Sequence, residues 1–279
     1  MEKIIFIVFL FSVSFVFSQT DEEESELDNI IDELFGLDSF GVEAKKLSFL
    51  YASFSYSDKA YFAGRDFGVD QYGISPSLSY MSSNNFFLSI GSAYYSKLDP
   101  QWDLISLSTA YSKFIGKKEK LSLTGVFSRS FFLSNTSDLN PNRLSTSISL
   151  TEKNLKIRVS GGYLFGGSST FYASADAAYR IKLIEDQKLT LDFRPGFNFL
   201  FSKQTISEEI SVSSFNSIVA ETDVFDLINT QFSFPFEADY GNWDFQFAYA
   251  INAPKAIGNE TDINQNGFLS FSIGYLIGF

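Results

Sequence analysis

The chain of 279 residues contains no cysteine, no histidine and only 6 prolines. Without cysteine there are no disulfides, no zinc-thiolate or iron-sulfur sites and no lipoprotein-type lipidation. Without histidine the Ser-His-Asp and Cys-His routes to nucleophilic catalysis are closed. Bases are scarce too: 21 Lys and Arg face 33 Asp and Glu, for a net charge of -12 and a pI of about 4.5, the opposite of a nucleic-acid-binding balance. After the first twenty residues no long apolar run remains, because Ser, Gly, Asn, Asp or Lys interrupts every few positions. That excludes a helical inner-membrane protein. What is abundant is phenylalanine, 33 residues of it within an aromatic content of 18%, ample apolar material for one large domain.

The acidity is local. Residues 21–38 (DEEESELDNIIDELFGLD) hold nine acids and no base, Glu2 and Lys3 cancel, and the chain from Ser39 onward carries a net charge of only -3. Residues 1–18 begin with Lys3 in a short polar start, followed by an apolar run from Ile4 to Phe17. At about 1.5 Å per residue that run is too short for a bilayer, which needs roughly twenty residues. Val16 and Ser18 suit a cut before Gln19, so 1–18 reads as a cleavable secretory signal. Residues 19–44 then form an acidic segment on the periplasmic side. Leu27, Ile30, Ile31 and Leu34 give it helical spacing, while its acids suit equally a disordered, solubilising leader. Residues 20–38 are positioned to plug a barrel mouth or to dock on a basic periplasmic partner.

From residue 45 to 279 the pattern changes to strict alternation. Phe245, Phe247, Tyr249 and Ile251 alternate with Asp244, Gln246, Ala248 and Ala250; Leu189, Leu191, Phe193, Phe197 and Phe199 alternate with Thr190, Asp192, Arg194 and Asn198. Successive side chains of a strand point to opposite faces, so each segment has an oily face and a wet one. Twelve segments follow this scheme: 46–57, 72–82, 86–96, 104–115, 121–133, 143–152, 155–165, 170–182, 188–201, 225–238, 243–252 and 267–279. Each approximates the roughly 9–11 residues that a tilted strand needs to cross a membrane. In 46–57 the phase changes, Leu47, Phe49 and Tyr51 giving way to Phe54 and Tyr56, which suggests a bulge.

Connections sort by parity. After even segments they are short (SNN at 83–85, GKKEK, KN, LIEDQ, DYGN), and after odd segments they are mostly long, notably 58–71, 134–142, 202–224 and 253–266. An up-and-down barrel with both termini in the periplasm produces that sorting, and a soluble sandwich has no reason to. The fold class expected is therefore all-β: a transmembrane antiparallel up-and-down β-barrel of about twelve strands behind a short acidic periplasmic segment. Hydrocarbon offers no hydrogen bonds to an open edge, so the last strand must close onto the first.

The final segment carries Phe271, Ile273, Tyr275, Ile277 and Phe279 at alternate positions, separated by Ser272, Gly274, Leu276 and Gly278. This resembles the C-terminal targeting signal of bacterial outer-membrane β-barrels, which ends in an aromatic residue after alternating hydrophobics. The resemblance implies outer-membrane localisation, contact with outer-membrane lipid and recognition by the barrel-assembly machinery during biogenesis.

By alternation Lys156, Arg158, Arg180, Lys182, Lys188 and Arg194 face inward, with Asp176 and Asp192 among them and Glu237 and Asp244 on the next two strands. Folding the short turns places Arg158, Asp176 and Arg194 in one row. Such a wall either imposes a transverse field on passing solutes or forms a salt-bridged ladder; for Asp176 the ladder is expected, because buried charges pair. The inward Phe87, Tyr95, Phe114, Phe132, Tyr172 and Leu200 predict a narrow lumen. No metal or cofactor is expected: Asp262, Asn264, Asn266 and Gly267 mimic the start of a calcium loop, but its twelfth position is Ile273. Gly161, Gly162, Gly166 and Gly167 lack the Gly-Lys-Ser/Thr of a phosphate loop. The functions in view are a passive channel for small polar solutes, or a structural barrel serving an envelope complex. A barrel hydrolase or acyltransferase ranks last for want of histidine.

Overall fold

The structure, a computed structural model, describes residues 48–66, 69–116, 120–132, 139–213, 216–257 and 263–278. The expected signal, the acidic segment, Asp262 and Phe279 lie outside the described residues. The described chain forms a closed, twelve-stranded, antiparallel up-and-down barrel. Its strands are β1 (Phe49–Ser57), β2 (Gly73–Met81), β3 (Phe86–Tyr95), β4 (Trp102–Ile115), β5 (Leu121–Phe132), β6 (Asn142–Glu152) and β7 (Leu155–Phe165). They continue with β8 (Thr170–Tyr179, prolonged by Ile181–Glu185), β9 (Leu189–Phe193, prolonged by Gly196–Ser213), β10 (Asn216–Tyr240), β11 (Trp243–Pro254) and β12 (Asn266–Gly278). Each strand pairs with its sequence neighbours, and β12 closes on β1 through nine consecutive pairs, from Phe49 opposite Gly278 to Ser57 opposite Ser270.

Alternation decides which face meets lipid. Leu78, Leu88, Ile90, Leu107, Leu123, Phe127, Leu144, Ile148, Val159, Phe171, Phe232, Phe234, Phe236, Phe247 and Phe271 are exposed on the outer wall. Their neighbours in sequence are inward and small or polar, among them Ser79, Ser89, Ser108, Thr124, Ser145, Ser149 and Ser160, all buried. Water cannot be the solvent of an apolar surface this continuous, and a bilayer can. Aromatic rings mark both edges of the band. Toward the rim that carries the longer loops, Tyr56, Tyr72, Tyr94 and Trp102 form a run with centroids 5.8, 6.2 and 5.4 Å apart. Toward the opposite rim, which holds the strand ends Phe49 and Gly278, Trp243 lies 4.6 Å from Tyr275 and 6.3 Å from Phe245. Amphipathic rings settle at lipid-water interfaces. The two tryptophans thus report both interfaces: in Trp102→Phe and Trp243→Phe variants reconstituted in bilayers, the remaining tryptophan should be quenched more by a carbonyl-level quencher than by one at the bilayer centre.

The short connections are turns at the rim with the strand ends, including Ser82–Asn85, Lys153–Asn154, Asp186–Lys188 and Gly241–Asn242. Three expectations need correction. Over Phe49–Ser57 β1 pairs with both neighbours without a register shift, so the expected bulge is not found among the described residues of 46–57. Instead Phe49 and Tyr51 face inward, and the ring of Tyr51 fills the space that a side chain at Gly274 would need, within 2.6 Å of where its Cβ would stand. The segment 202–224 is no loop. β9 runs to Ser213 and β10 starts at Asn216, paired in register from Ser202 opposite Asp226 to Ser211 opposite Ser217, with a register shift before Ser213 meets Asn216. Beyond Lys203 and Leu227 these strands pair only with each other, forming an arm of about 33 Å at 3.3 Å per residue. Finally, Arg194 is not opposite Asp176, whose partners are Arg158 and Asn198. The turn closes tightly around Asp186–Lys188, which shifts β9 by four residues relative to the reading that treated LIEDQ as the whole connection.

Candidate functional site

The inner wall has two halves of different chemistry. On β2 to β5 it is built from hydroxyls. Ser79, Ser89, Ser108 and Ser128 stand opposite one another in a single cross-strand row, and the row ends at Arg143 on β6. Ser79 and Ser89 are 2.9 Å apart, as are Ser108 and Ser128. A second row joins Ser112 to Thr124 (2.9 Å) and, after Ser147, Ser160 to Ser174 (2.7 Å). Hydroxyls both donate and accept, so they satisfy one another sideways without any charge. Near the rim with the strand ends this half becomes apolar, where Phe49, Met81 and Phe87 face one another across β1, β2 and β3 and are fully buried.

The opposite half carries charge, and the expected inward residues group there. Arg158 Nε bonds both oxygens of Asp176, at 3.0 and 3.1 Å. A longer chain crosses β8, β9, β10 and β11: Asp192 Oδ2 accepts from Arg180 Nε at 2.6 Å and from Arg194 Nη2 at 3.4 Å, Arg194 Nε lies 2.7 Å from Glu237 Oε2, and Gln246 Nε2 donates to Glu237 Oε1 at 3.4 Å. The side chain of Asp192 is only 3% exposed, whereas Asp176 and Arg194 keep 24% and 22%. Asp192 is therefore the buried keystone between two arginines, and the partly exposed charges line what space remains. Lys156 is half-buried on β7, and Asp244 stands opposite Asp239, which accepts from Thr190 at 2.7 Å. One expected lumen charge falls elsewhere: Lys188 sits in the exposed turn. Lys182 stands opposite Asp192, just before a register shift, and its side chain, 44% exposed, pairs with Glu185 at 2.5 Å.

Above the ladder the first loop turns into the mouth instead of outward. Residues Tyr61–Phe62 and Arg65–Asp66 form a small ribbon across a turn at Ala63 and Gly64. Ala60 packs against Ala93, Tyr95, Leu104 and Phe132, on β3 to β5, while Ala63 packs against Leu200, Ile228 and Ile257, on β9, β10 and the loop after β11. Strands β4 and β10 are six apart in a ring of twelve, so the ribbon spans the mouth from wall to wall. Hydrogen bonds fix it: Asn266 Nδ2 to Gly64 O at 2.7 Å, Arg65 Nη2 to Lys255 O at 2.8 Å and Tyr61 OH to Gly267 O at 3.3 Å. Asn266 belongs in turn to an amide cluster in which Asn252 Oδ1 accepts from Asn229 and Gln231, each at 3.0 Å, and Asn252 Nδ2 donates to Asn266 at 3.1 Å. A register shift at Leu200 and Phe201 turns both Ile228 and Asn229 inward, one to pack on the ribbon and one to join the amides. Gly64 has φ +77°, and a Cβ there would stand 2.3 Å from the Asn229 side chain, so only glycine fits.

Of these features, inward-turned Arg143, fully buried and donating to Tyr172 OH at 3.3 Å, was accessible to sequence reasoning through the phase of Ser145, Ser147 and Ser149. Asn266, which the calcium-like spacing singled out, spends its amide on the ribbon and on Asn252.

No family model and no curated protein matches this sequence. Solved structures do. The NanC porin is 10% identical over 81% of this chain and 98% of its own, with a TM-score of 0.46. The KdgM porin is 12% identical over 82% and 98%, with a TM-score of 0.47. An outer-membrane channel from Pseudomonas putida F1 is 11% identical over 83% and 96%, with a TM-score of 0.45. LpxR from Salmonella typhimurium is also similar, 9% identical over 81% and 99%, with a TM-score of 0.39. The chain is a closed twelve-stranded barrel, similar in architecture to bacterial outer-membrane porins and channels.

Proposed function

We propose that this protein is a passive channel of the bacterial outer membrane for small polar solutes. Its termini and short turns would face the periplasm and its long connections the exterior, with residues 1–18 removed on export. The observation that carries the proposal is the partly exposed charged wall of Asp176, Arg194 and Glu237, which offers water and ions a polar path past a half of the lumen built from buried hydroxyls. A ring of twelve strands tilted near 40° measures roughly 24 Å between backbones, leaving space of solute size once side chains are counted. Paired charges give the path local fields without a large net charge, which suits polar solutes of either sign. In planar bilayers the refolded barrel should show discrete single-channel steps, and Arg158→Glu should shift its selectivity toward cations. A barrel that inserts yet conducts nothing would reject the proposal.

A second reading has its own support. The ribbon narrows one mouth, and Phe49, Met81 and Phe87 fill part of the other. A barrel closed at both ends would serve as a structural subunit of an envelope complex, with residues 20–38 as its periplasmic contact. Co-purification from native membranes with and without residues 20–38 tests this; retention of every partner after the deletion would count against it.

A further inference from the structure

The inward charges are spent on one another, but one arginine points the other way. Arg129 on β5 shares the outward phase of Leu123, Phe127 and Phe131 and is exposed on the wall that faces lipid. It belongs to a cross-strand row of outward positions, Leu78, Ile90, Leu107, Arg129, Asn142 and Phe165. The row starts in the middle of β2 and ends on the first residue of β6 and the last of β7, at the rim with the longer loops. Strand tilt therefore carries it from the centre of the apolar band to its outer edge, and Arg129 stands where it leaves hydrocarbon. Among the described residues no carboxylate pairs with Arg129. Its guanidinium carbon lies 5.5 Å from the centroid of the Phe131 ring. That cation–ring attraction takes up none of the N–H donors, which remain for an anion.

We propose that Arg129, held by Phe131 and flanked by Phe127, Leu107 and Leu144, binds the phosphate of an outer-leaflet glycolipid. The chemistry asks for an anionic amphiphile: acyl chains lie on the exposed Phe127, Leu107 and Leu144, and a phosphate at the interface meets the fork of donors in two parallel hydrogen bonds. The inference rests on the outward orientation of the longer loops proposed above, since the opposite rim would meet phospholipid instead. It does not depend on an open lumen.

The test uses the refolded barrel in non-ionic micelles and follows its thermal unfolding midpoint with added bisphosphorylated lipid A, chemically dephosphorylated lipid A or phosphatidylglycerol. Bisphosphorylated lipid A should raise the midpoint of the wild type, raise that of Arg129→Lys less, and act on Arg129→Gln with about 10- to 100-fold weaker apparent affinity. Equal midpoints without lipid would establish that Arg129→Gln is folded. An equal response of Arg129→Gln, or an equal effect of the dephosphorylated lipid, would overturn the proposal. A rise with phosphatidylglycerol alone would overturn the assignment to the glycolipid leaflet. A channel that fails to conduct would sink the transport proposal and leave this result standing.

Discussion

Replacing residues 60–66 with a glycine-serine linker is expected to raise single-channel conductance about three- to fivefold, the largest functional change any local edit should produce. The ribbon formed by Tyr61–Phe62 and Arg65–Asp66 is two strands, about 10 Å, wide and reaches from wall to wall of a barrel roughly 24 Å between backbones, so it obstructs much of the mouth. Its supports on β3 to β5 and β9 to β11 belong to the barrel wall and do not need the ribbon to fold. The replacement should therefore leave the barrel intact, which resistance to unfolding in cold SDS would check. A milder version is Gly64→Val. A side chain there collides with Asn229 and forces the ribbon off the amide cluster, so conductance should rise less and flicker more. Unchanged conductance in both would mean that the limiting constriction lies lower, among Phe49, Met81 and Phe87.

The largest loss of stability should come from Asp192→Asn. Asp192 is the shared acceptor of Arg180 and Arg194 and its side chain is only 3% exposed. Removing one partner of a buried pair leaves the other charge uncompensated, at a cost of about 3–5 kcal/mol. Arg194 keeps Glu237, but Arg180 has no second carboxylate in the chain of contacts described. Urea unfolding in lipid vesicles, monitored by tryptophan fluorescence, measures the loss directly. The same experiment on Lys182→Ala should register no more than about 0.5 kcal/mol, because that lysine and Glu185 are both solvent-exposed. Similar losses for the two variants would show that the ladder does not brace the wall. The freed arginines should also move ion selectivity toward anions, opposite to Arg158→Glu.

Much of the fold is written locally. Each strand announces itself through a period of two, and the short turns fix how neighbouring strands align, so the twelve strands and the pairing of Arg158 with Asp176 follow from residues near one another in sequence, while closure follows from the cost of an open edge in hydrocarbon. Register fails where turn length is misjudged. Asp186–Lys188 is tighter than LIEDQ suggests, and Arg194 consequently meets Asp192 and Glu237 instead of Asp176. The arm of β9 and β10 was illegible for a different reason. A ribbon standing clear of the bilayer has no lipid face to fill, so its Ser- and Glu-rich sequence loses the oily alternation used to recognise strands. The ribbon in the mouth depends on Ala60 and Ala63, small residues whose partners lie as much as 165 to 194 positions away in the chain. Nothing near them signals that they dock. On the rim with the longer loops, above the last residues paired with the neighbouring strands, Asp223 and Asp226 are held below the usual carboxylate range, first by hydrogen bonds from Lys203 and Lys255. Those pairs too join residues far apart in sequence.

The seam between Phe49–Ser57 and Ser270–Gly278 joins the two extremes of the described chain. Every other strand can zip onto the one made just before it, but this junction waits until the whole polypeptide is in place. Until then two raw edges stand in a solvent that donates and accepts nothing. A piece of the barrel missing either end would leave those edges bare in hydrocarbon, so it is the meeting of tail and head that makes the whole fit for a bilayer.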